Sequence, residues 1–470
     1  MIASPSVWNR RQLLAGVGLG VYGSAVALTP GIAAKAILCA PMLLIPLFWS
    51  LLTSPSAWLA LFFGCALLTP PLPISLGDSG PHLALLVACS GVFIGFLRLN
   101  QWRLQLDALS LALIMVCATF AFSLAMAALY SGLAIAAGSF ARVLLFGISV
   151  YVFLYVRDGP ARLTSQQSFS AVRWLFLAAA LSALFACVDF YFQFPAPAGY
   201  EQQYVWLASG VYRRAQGLFY EASTLGNLCA FFLEMIAVAL FRPKHEQPVS
   251  RGAMFAGGTA LAAALVLSYS RASLVNVAVA LAVLLWLNRG RIHWRRLAPG
   301  AAVFTAGAAG VLVAAFPIFA RAAWLRVSTA FEYFTESPNA VLSGRITSWQ
   351  TLLSFLAAHP WHALLGVGYK TLPYSDFIGS KAVGDNTYLT LLVETGIAGL
   401  LGVLALNAAI LLAAYRASRS SDSVRSFCGT WMLCFWTGQC VQMLSADLLT
   451  YWRILPAYFF VLALAVGKEP

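Results

Sequence analysis

The chain has 470 residues, of which 61% are hydrophobic and only 10% charged, and its mean hydropathy is +0.82. Soluble domains carry about 25% charged residues, so a water-soluble enzyme or binding module is excluded. The net charge of +13 does not point to nucleic acid, because the Lys and Arg residues form no basic stripe interleaved with aromatics. They fall in short loops between apolar runs, which is the pattern of cytoplasmic retention in a polytopic membrane protein.

Apolar stretches long enough to cross a hydrocarbon core of about 30 Å recur along the whole chain. The N-terminal Arg10-Arg11 pair precedes the apolar run Leu13–Leu28 without a convincing cleavage site, so it reads as the basic flank of a first span. The run Gly18-Leu19-Gly20-Val21-Tyr22-Gly23 matches a dinucleotide fingerprint only formally. No strand precedes it, and it reads as close helix packing by small residues. In chain order we expect spans at 12–29, 32–53, 56–72, 82–98, 108–129, 132–156, 172–191, 217–241, 252–269, 272–288, 299–317, 387–415, 427–446 and 452–467. The predicted fold is all-α, a polytopic membrane protein of about 12–14 transmembrane helices.

Alternate loops carry the cations expected on the cytoplasmic side: Arg98 and Arg103, then Arg157, Arg162 and Arg173, then Arg242, Lys244 and Arg251, then Arg289 to Arg296, then Arg416 to Arg425. Both termini are then cytoplasmic. Arg213, Arg214, Arg271, Arg321, Arg326, Arg345, Lys370, Lys381 and Arg453 fall on the outer side against this bias, with Lys35 and Arg142 near the outer ends of their spans. Each alone reads as a side chain snorkelling to headgroups. Several beside the same outer loops favour an anionic ligand, since guanidinium forks suit phosphate oxygens.

Two outer segments exceed what a connector needs. Residues 192–216 carry Tyr200, Tyr204, Trp206 and Tyr212 ahead of Arg213-Arg214. Residues 318–386 form one large loop, in which Ile346, Trp349, Leu352, Leu353 and Leu356 recur at helical spacing and predict an amphipathic helix over 344–358 that Pro360 should end. All nine cysteines lie in or beside spans, which argues against a disulfide framework or a zinc site. The few scattered histidines likewise give no metal-ligand spacing.

Five local patterns occur in order: Arg214-Ala215-Gln216-Gly217-Leu218-Phe219-Tyr220-Glu221; Ser268-Tyr269-Ser270-Arg271-Ala272-Ser273-Leu274; Leu342-Ser343-Gly344-Arg345-Ile346 with Trp349; His359-Pro360 before Leu364-Leu365-Gly366-Val367-Gly368-Tyr369; and Asp385-Asn386-Thr387-Tyr388-Leu389 before Val393-Glu394-Thr395-Gly396-Ile397-Ala398-Gly399. With the large outer loop, they resemble the O-antigen ligase and O-antigen polymerase superfamily over about 210–415. The N-terminal half is similar only in hydropathy. The chain divides accordingly into N-terminal helices 1–210, a ligase/polymerase-like core 211–415 containing loop 318–386, and C-terminal helices 416–470.

The resemblance implies a membrane-embedded glycosyltransferase of the C type. Such an enzyme takes glycan from an undecaprenyl-diphosphate-linked donor on the outer face of the bacterial inner membrane. It needs no metal, nucleotide sugar or other cofactor. The implied partners are that donor, a glycan or lipid acceptor, the lipid bilayer, and polysaccharide export or chain-length proteins. By match to the family, Arg214 and Arg271 hold the diphosphate, with Arg345 next and Arg213 less well placed; Arg271 also reads as a helix-end anchor at the interface.

Family ligases have a histidine immediately before the asparagine where this chain has Asp385. Asp385 then stands as the base, as a sugar contact, or as the cap of the helix starting near Thr387, with Asn386 competing for the cap. The departure favours a polymerase over a ligase. Glu221 is the second candidate base, or a carboxylate paired with Arg214 or Arg271. Asn386 and Tyr388 are weaker glycan contacts. Deep in the eighth span, Glu234 is protonated, paired in the bundle, or part of a translocation path. That last reading keeps a flippase of lipid-linked oligosaccharide as the alternative.

Overall fold

The computed structural model describes residues 10–72, 81–196, 203–207, 210–290, 321, 324, 328, 339, 344–379 and 384–467. Residues Met1–Leu59 and Ala60–Pro470 form two compact units. The first holds α1 (Arg10–Leu28), α2 (Ile32–Thr53) and the start of α3 (Pro55–Leu68). Within it the Tyr22 hydroxyl donates to the Leu38 carbonyl, tying α1 to α2.

The second unit is a helical bundle. It continues α3 and adds α4 (Leu83–Leu97), α5 (Ala108–Ser131), α6 (Leu133–Arg157), α7 (Ser165–Phe192), α8 (Ala222–Leu240), α9 (Arg251–Leu267), α10 (Arg271–Leu287), α11 (Arg345–Ala358), α12 (Pro360–Leu365), α13 (Thr387–Ser418), α14 (Ser423–Gln442) and α15 (Leu455–Val466). Five of these, α5, α6, α7, α8 and α13, are long and apolar enough to cross a membrane unaided, and α4, α9, α10 and α15 are shorter apolar helices. This is the all-α polytopic architecture expected. The expected span 299–317, most of 318–343, and the cations Arg291, Arg295, Arg296, Arg326, Lys381 and Lys468 lie outside the described residues.

Where the bundle departs from expectation, the backbone gives the reason. The eighth span starts at Ala222 rather than at 217, and Glu221 is its N-cap instead of an interior residue. Residues 204–213 contain an antiparallel ribbon, β1 (Tyr204–Leu207) and β2 (Gly210–Arg213), with Tyr204 opposite Arg213 and Val205 opposite Tyr212. Aromatic and β-branched residues suit a pleated surface.

Polar side chains hold the helices together inside the apolar envelope. Asn227 of α8 and Asn276 of α10 both donate to the side-chain oxygens of Gln439 and Gln442 of α14, at 2.6–2.9 Å. The Tyr458 hydroxyl of α15 donates to Asn227. Between membrane helices such bonds act as interhelical glue, since no water competes for them. At one end of the bundle buried Arg157 joins Asp107 at 3.1 Å and Asp158 at 2.6 Å. The other end carries α11 and α12, and we call it the loop-bearing end.

Arg453, expected among the ligand-seeking cations, lies buried at the loop-bearing end. Its guanidinium donates to the carbonyls of Ala66 (2.8 Å), Thr69 (2.9 Å) and Leu218. A cation suits the electronegative C-terminal end of α3, so it has a packing role. His82 closes the same junction. Its Nδ1 accepts the Ala84 N–H at 3.1 Å while Nε2 faces the Thr69 carbonyl at 2.9 Å, which fixes the neutral tautomer. Burial and the neighbouring Arg453 lower its pKa to about 4.

Candidate functional site

The sequence-predicted residues meet the structure at the loop-bearing end, and adjacent arginines there have different duties. Arg213 ends β2 and Arg214 follows it, and the two side chains leave the ribbon in different directions. Arg213 turns to α7, where it meets both carboxylate oxygens of Asp189 at 2.8 and 3.0 Å, and its backbone N–H is held by the Gln193 side chain at 2.8 Å. Arg214 turns to the α9–α10 junction, where its Nε donates to the Ser268 carbonyl at 2.7 Å. Three residues later Arg271 opens α10, whose first turn is capped by Ser270.

Arg345 opens α11 and faces Asp385 across 3.7 Å. The competition for the helix cap goes to the neighbour: Asn386 accepts the Leu389 N–H at 3.0 Å. Asp385 is thereby left out of the cap. Burial raises its pKa above the ordinary carboxylate value, and the Arg345 guanidinium pulls it partly back. Tyr388 is engaged away from the site, donating to the Cys440 carbonyl at 3.0 Å.

Glu221 accepts the Ser223 hydroxyl at 2.7 Å. Ser223 also bonds Tyr451, a buried residue between α14 and α15 that sequence reasoning did not single out. Burial and the Glu221 charge push the Tyr451 hydroxyl pKa up, while the Arg345 and Arg214 charges pull it down. Tyr451 thus lies within electrostatic reach of three predicted site residues from three distant parts of the chain. Glu234, by contrast, is fully buried in α8 beside Cys434.

Two glycine motifs prove to be one backbone crossing. At Gly396 the α13 backbone leaves the helix, with φ 69° and ψ −172°. A helix break strands carbonyls that must find donors. Residues 366–368 supply them: the Val367 N–H reaches the Val393 carbonyl at 3.0 Å, and the Gly368 N–H reaches that of Glu394 at 2.8 Å. A side chain at Gly366 would strike the Glu394 carbonyl, and one at Gly396 the Leu364 carbonyl. The crossing delivers Lys370, which is buried and ion-paired with Asp447, and the Glu394 side chain accepts the backbone N–H of Lys370.

Three non-glycine residues among those described hold positive φ: Gln193, Tyr269 and Lys370. Each adjoins an element just described, respectively Arg213, Arg271 and the crossing. Strained backbone of this kind costs about 1–3 kcal/mol per residue and clusters where geometry must be held.

Fold and site together define a helical membrane protein with a cluster of arginines and carboxylates gathered at one end of its bundle. Residues 256–404, about a third of the chain, match the family model described as O-antigen ligase, which supports the resemblance to the O-antigen ligase/polymerase superfamily. That stretch includes Arg271, Arg345, Asp385 and the crossing. A comparison with curated proteins gives no match.

Proposed function

We propose that this protein is a glycosyltransferase that moves lipid-diphosphate-linked glycan to an acceptor hydroxyl, with Asp385 as the base. The observation that carries the reading is the division of labour at the start of α13. Asn386 takes the cap, and Asp385 is left half-buried beside Arg345 with a raised pKa. A carboxylate so placed accepts a proton more readily than one in water.

In the proposed step the acceptor oxygen loses its proton to Asp385 and bonds the anomeric carbon of the donor sugar. The bond from that carbon to the phosphate oxygen breaks, and the lipid diphosphate departs with the electron pair. Arg214 and Arg271 neutralise the charge that builds on it, which is electrostatic stabilisation by preplaced cations. Arg345 restrains Asp385 and borders the same space. Arg213, paired with Asp189, anchors the ribbon that carries Arg214. Glu221 orders Ser223 and Tyr451 beside them. The acidic residue in place of the family histidine favours a polymerase over a ligase. The donor is an undecaprenyl diphosphate, and the site faces outward from the inner membrane.

The test is a gel of lipid-linked and surface glycans from cells lacking this chain, complemented with wild type, Asp385→Asn, Arg214→Ala or Arg271→Ala. Acceptors carrying a single repeat and no ladder identify a polymerase, whereas full-length chains stranded on the carrier identify a ligase. Unpolymerised units confined to the cytoplasmic face, or full activity in both arginine variants at normal membrane level, would overturn the reading.

A further inference from the structure

One surface beside this site has no part in the proposed step. A groove of about 510 Å³ runs along α11, lined by Thr347, Gln350, Thr351, Ser354, Phe355 and His359 among others. Its volume falls in the ~300–1,000 Å³ range of small-molecule sites. Its polar residues follow helical spacing, so they form one stripe, about 16 Å long from Thr347 to Ala358 at ~1.5 Å per residue.

The stripe carries no charge. From Ile346 through Tyr369 the sequence contains no Asp, Glu, Lys or Arg, although the solvated face of a helix ordinarily carries charged residues. The helix is fixed by an adjoining side, where Leu352 and, at the groove's edge, Phe355 pack with Val367, Leu372 and Val393. Exposed Leu353 lies on a further side of the helix, and exposed Trp361 and Leu364 follow on α12. An apolar surface with Trp is the kind that meets the membrane interface. The groove is distinct from it, being rich in hydroxyl and amide groups.

We infer that this groove binds the uncharged sugar rings of the glycan chain next to the reacting unit. Hydroxyl and amide side chains both donate and accept hydrogen bonds, as sugar hydroxyls require, and Phe355 and Ile378 offer apolar surface to the C–H faces of the rings. An anionic lipid or phosphate would call for cations, which the stripe lacks. The groove's near end, at Thr347, lies within one turn of Arg345, which faces Asp385 at 3.7 Å from another side of the helix, so a chain whose reacting end lies at Asp385 reaches the groove across the first turn of α11. The inference rests on the proposed glycosyl transfer.

The test uses the full-length protein in detergent with the repeat-unit oligosaccharide released by mild acid from the host's own lipid carrier. Binding is read by saturation-transfer NMR for wild type, Ser354→Trp, Thr351→Glu and, as a control on another side of the helix, Leu353→Ala. In cells, the same variants are scored for ladder length. The expected result is binding weakened roughly tenfold or more and a shortened ladder in Ser354→Trp and Thr351→Glu, with Leu353→Ala unchanged. No binding by wild type, or wild-type binding and ladder length in both groove variants, overturns the groove. A deletion strain with unaltered surface and carrier-linked glycans would instead overturn the glycosyltransferase reading.

Discussion

Replacing Gly396 by alanine tests the crossing at its tightest point. The added methyl would require φ near 69° and ψ near −172°, a region open essentially to glycine alone and costing about 1–3 kcal/mol otherwise. It would also meet the Leu364 carbonyl, a backbone atom that cannot swing away. Relief requires parting the strands at the crossing, with loss of the Val367 and Gly368 N–H bonds, each worth roughly 0.5–1.5 kcal/mol net. The combined loss is therefore on the order of 2–6 kcal/mol. Thermal unfolding in detergent can be followed with a thiol-reactive dye, because Cys65, Cys229, Cys428 and Cys434 are buried free thiols. Gly379→Ala isolates the backbone contribution: φ is 89° there, but nothing lies within 4 Å of the added carbon. We expect Gly396→Ala to lose at least about twice the stability of Gly379→Ala. Equal losses would mean that close approach contributes nothing, and the account of the crossing would be wrong.

Other predictions concern single contacts. Asn386→Ala removes the cap of α13 and should cost about 1 kcal/mol in the same melting assay, while Asp385→Asn should melt as wild type and lose glycan product; a reversed pattern would exchange the two roles. Arg345→Ala withdraws the charge that holds the Asp385 pKa down, so the acid limb of the pH–activity profile should move to higher pH. An unmoved limb would remove Asp385 as the base. Asp189→Ala strands the buried Arg213 guanidinium and should destabilise by about 3 kcal/mol or more, with most of the loss recovered when Arg213→Met is added. His82 must stay neutral in the folded protein, since its pKa falls from 6.5 to about 4. Its contribution is whole above pH 6.5 and declines as the pH drops toward 4, because only the unfolded chain then takes up the proton. His82→Asn keeps a cap acceptor without that ionisation, and should flatten this part of the stability–pH curve.

Features governed by local pattern were readable in the sequence. Among the described residues apolar runs gave the helices, with ends off by as much as the seven residues at the start of α7, and the spacing of Leu352 and Leu356 gave α11, observed over Arg345–Ala358 and ended at His359 before Pro360. Leu353, counted in the same apolar stripe, faces outward instead. The two candidate caps at Asp385 and Asn386 were also visible, though helical spacing alone does not choose between neighbours.

Features that depend on distant partners were not readable. Lys370 finds Asp447, and Tyr451 finds Ser223, across stretches of chain that carry no common periodicity. Arg453 looked like a cation awaiting an anion, and its three carbonyl acceptors appear only when α3 and residue 218 are brought beside it. The glycines of the crossing stand out as motifs, but a one-dimensional pattern does not show that two of them oppose each other. Here Glu394 was the available sign: a carboxylate in an apolar run needs a reason.

The crossing also bears on how the chain is assembled. Gly366 and Gly396 stand about 30 residues apart, so only the stretch between them has to close before their backbones meet. Because the closure cost grows with loop length, closing this loop costs less than closing the longer one from Lys370 to Asp447. The segment carrying α11 and α12 can therefore meet α13 before α14 and α15 are made, whereas the pairing of Lys370 with Asp447 must wait for the residues beyond α14. Chain order thus makes the backbone of the crossing available before the carboxylate that pairs with Lys370.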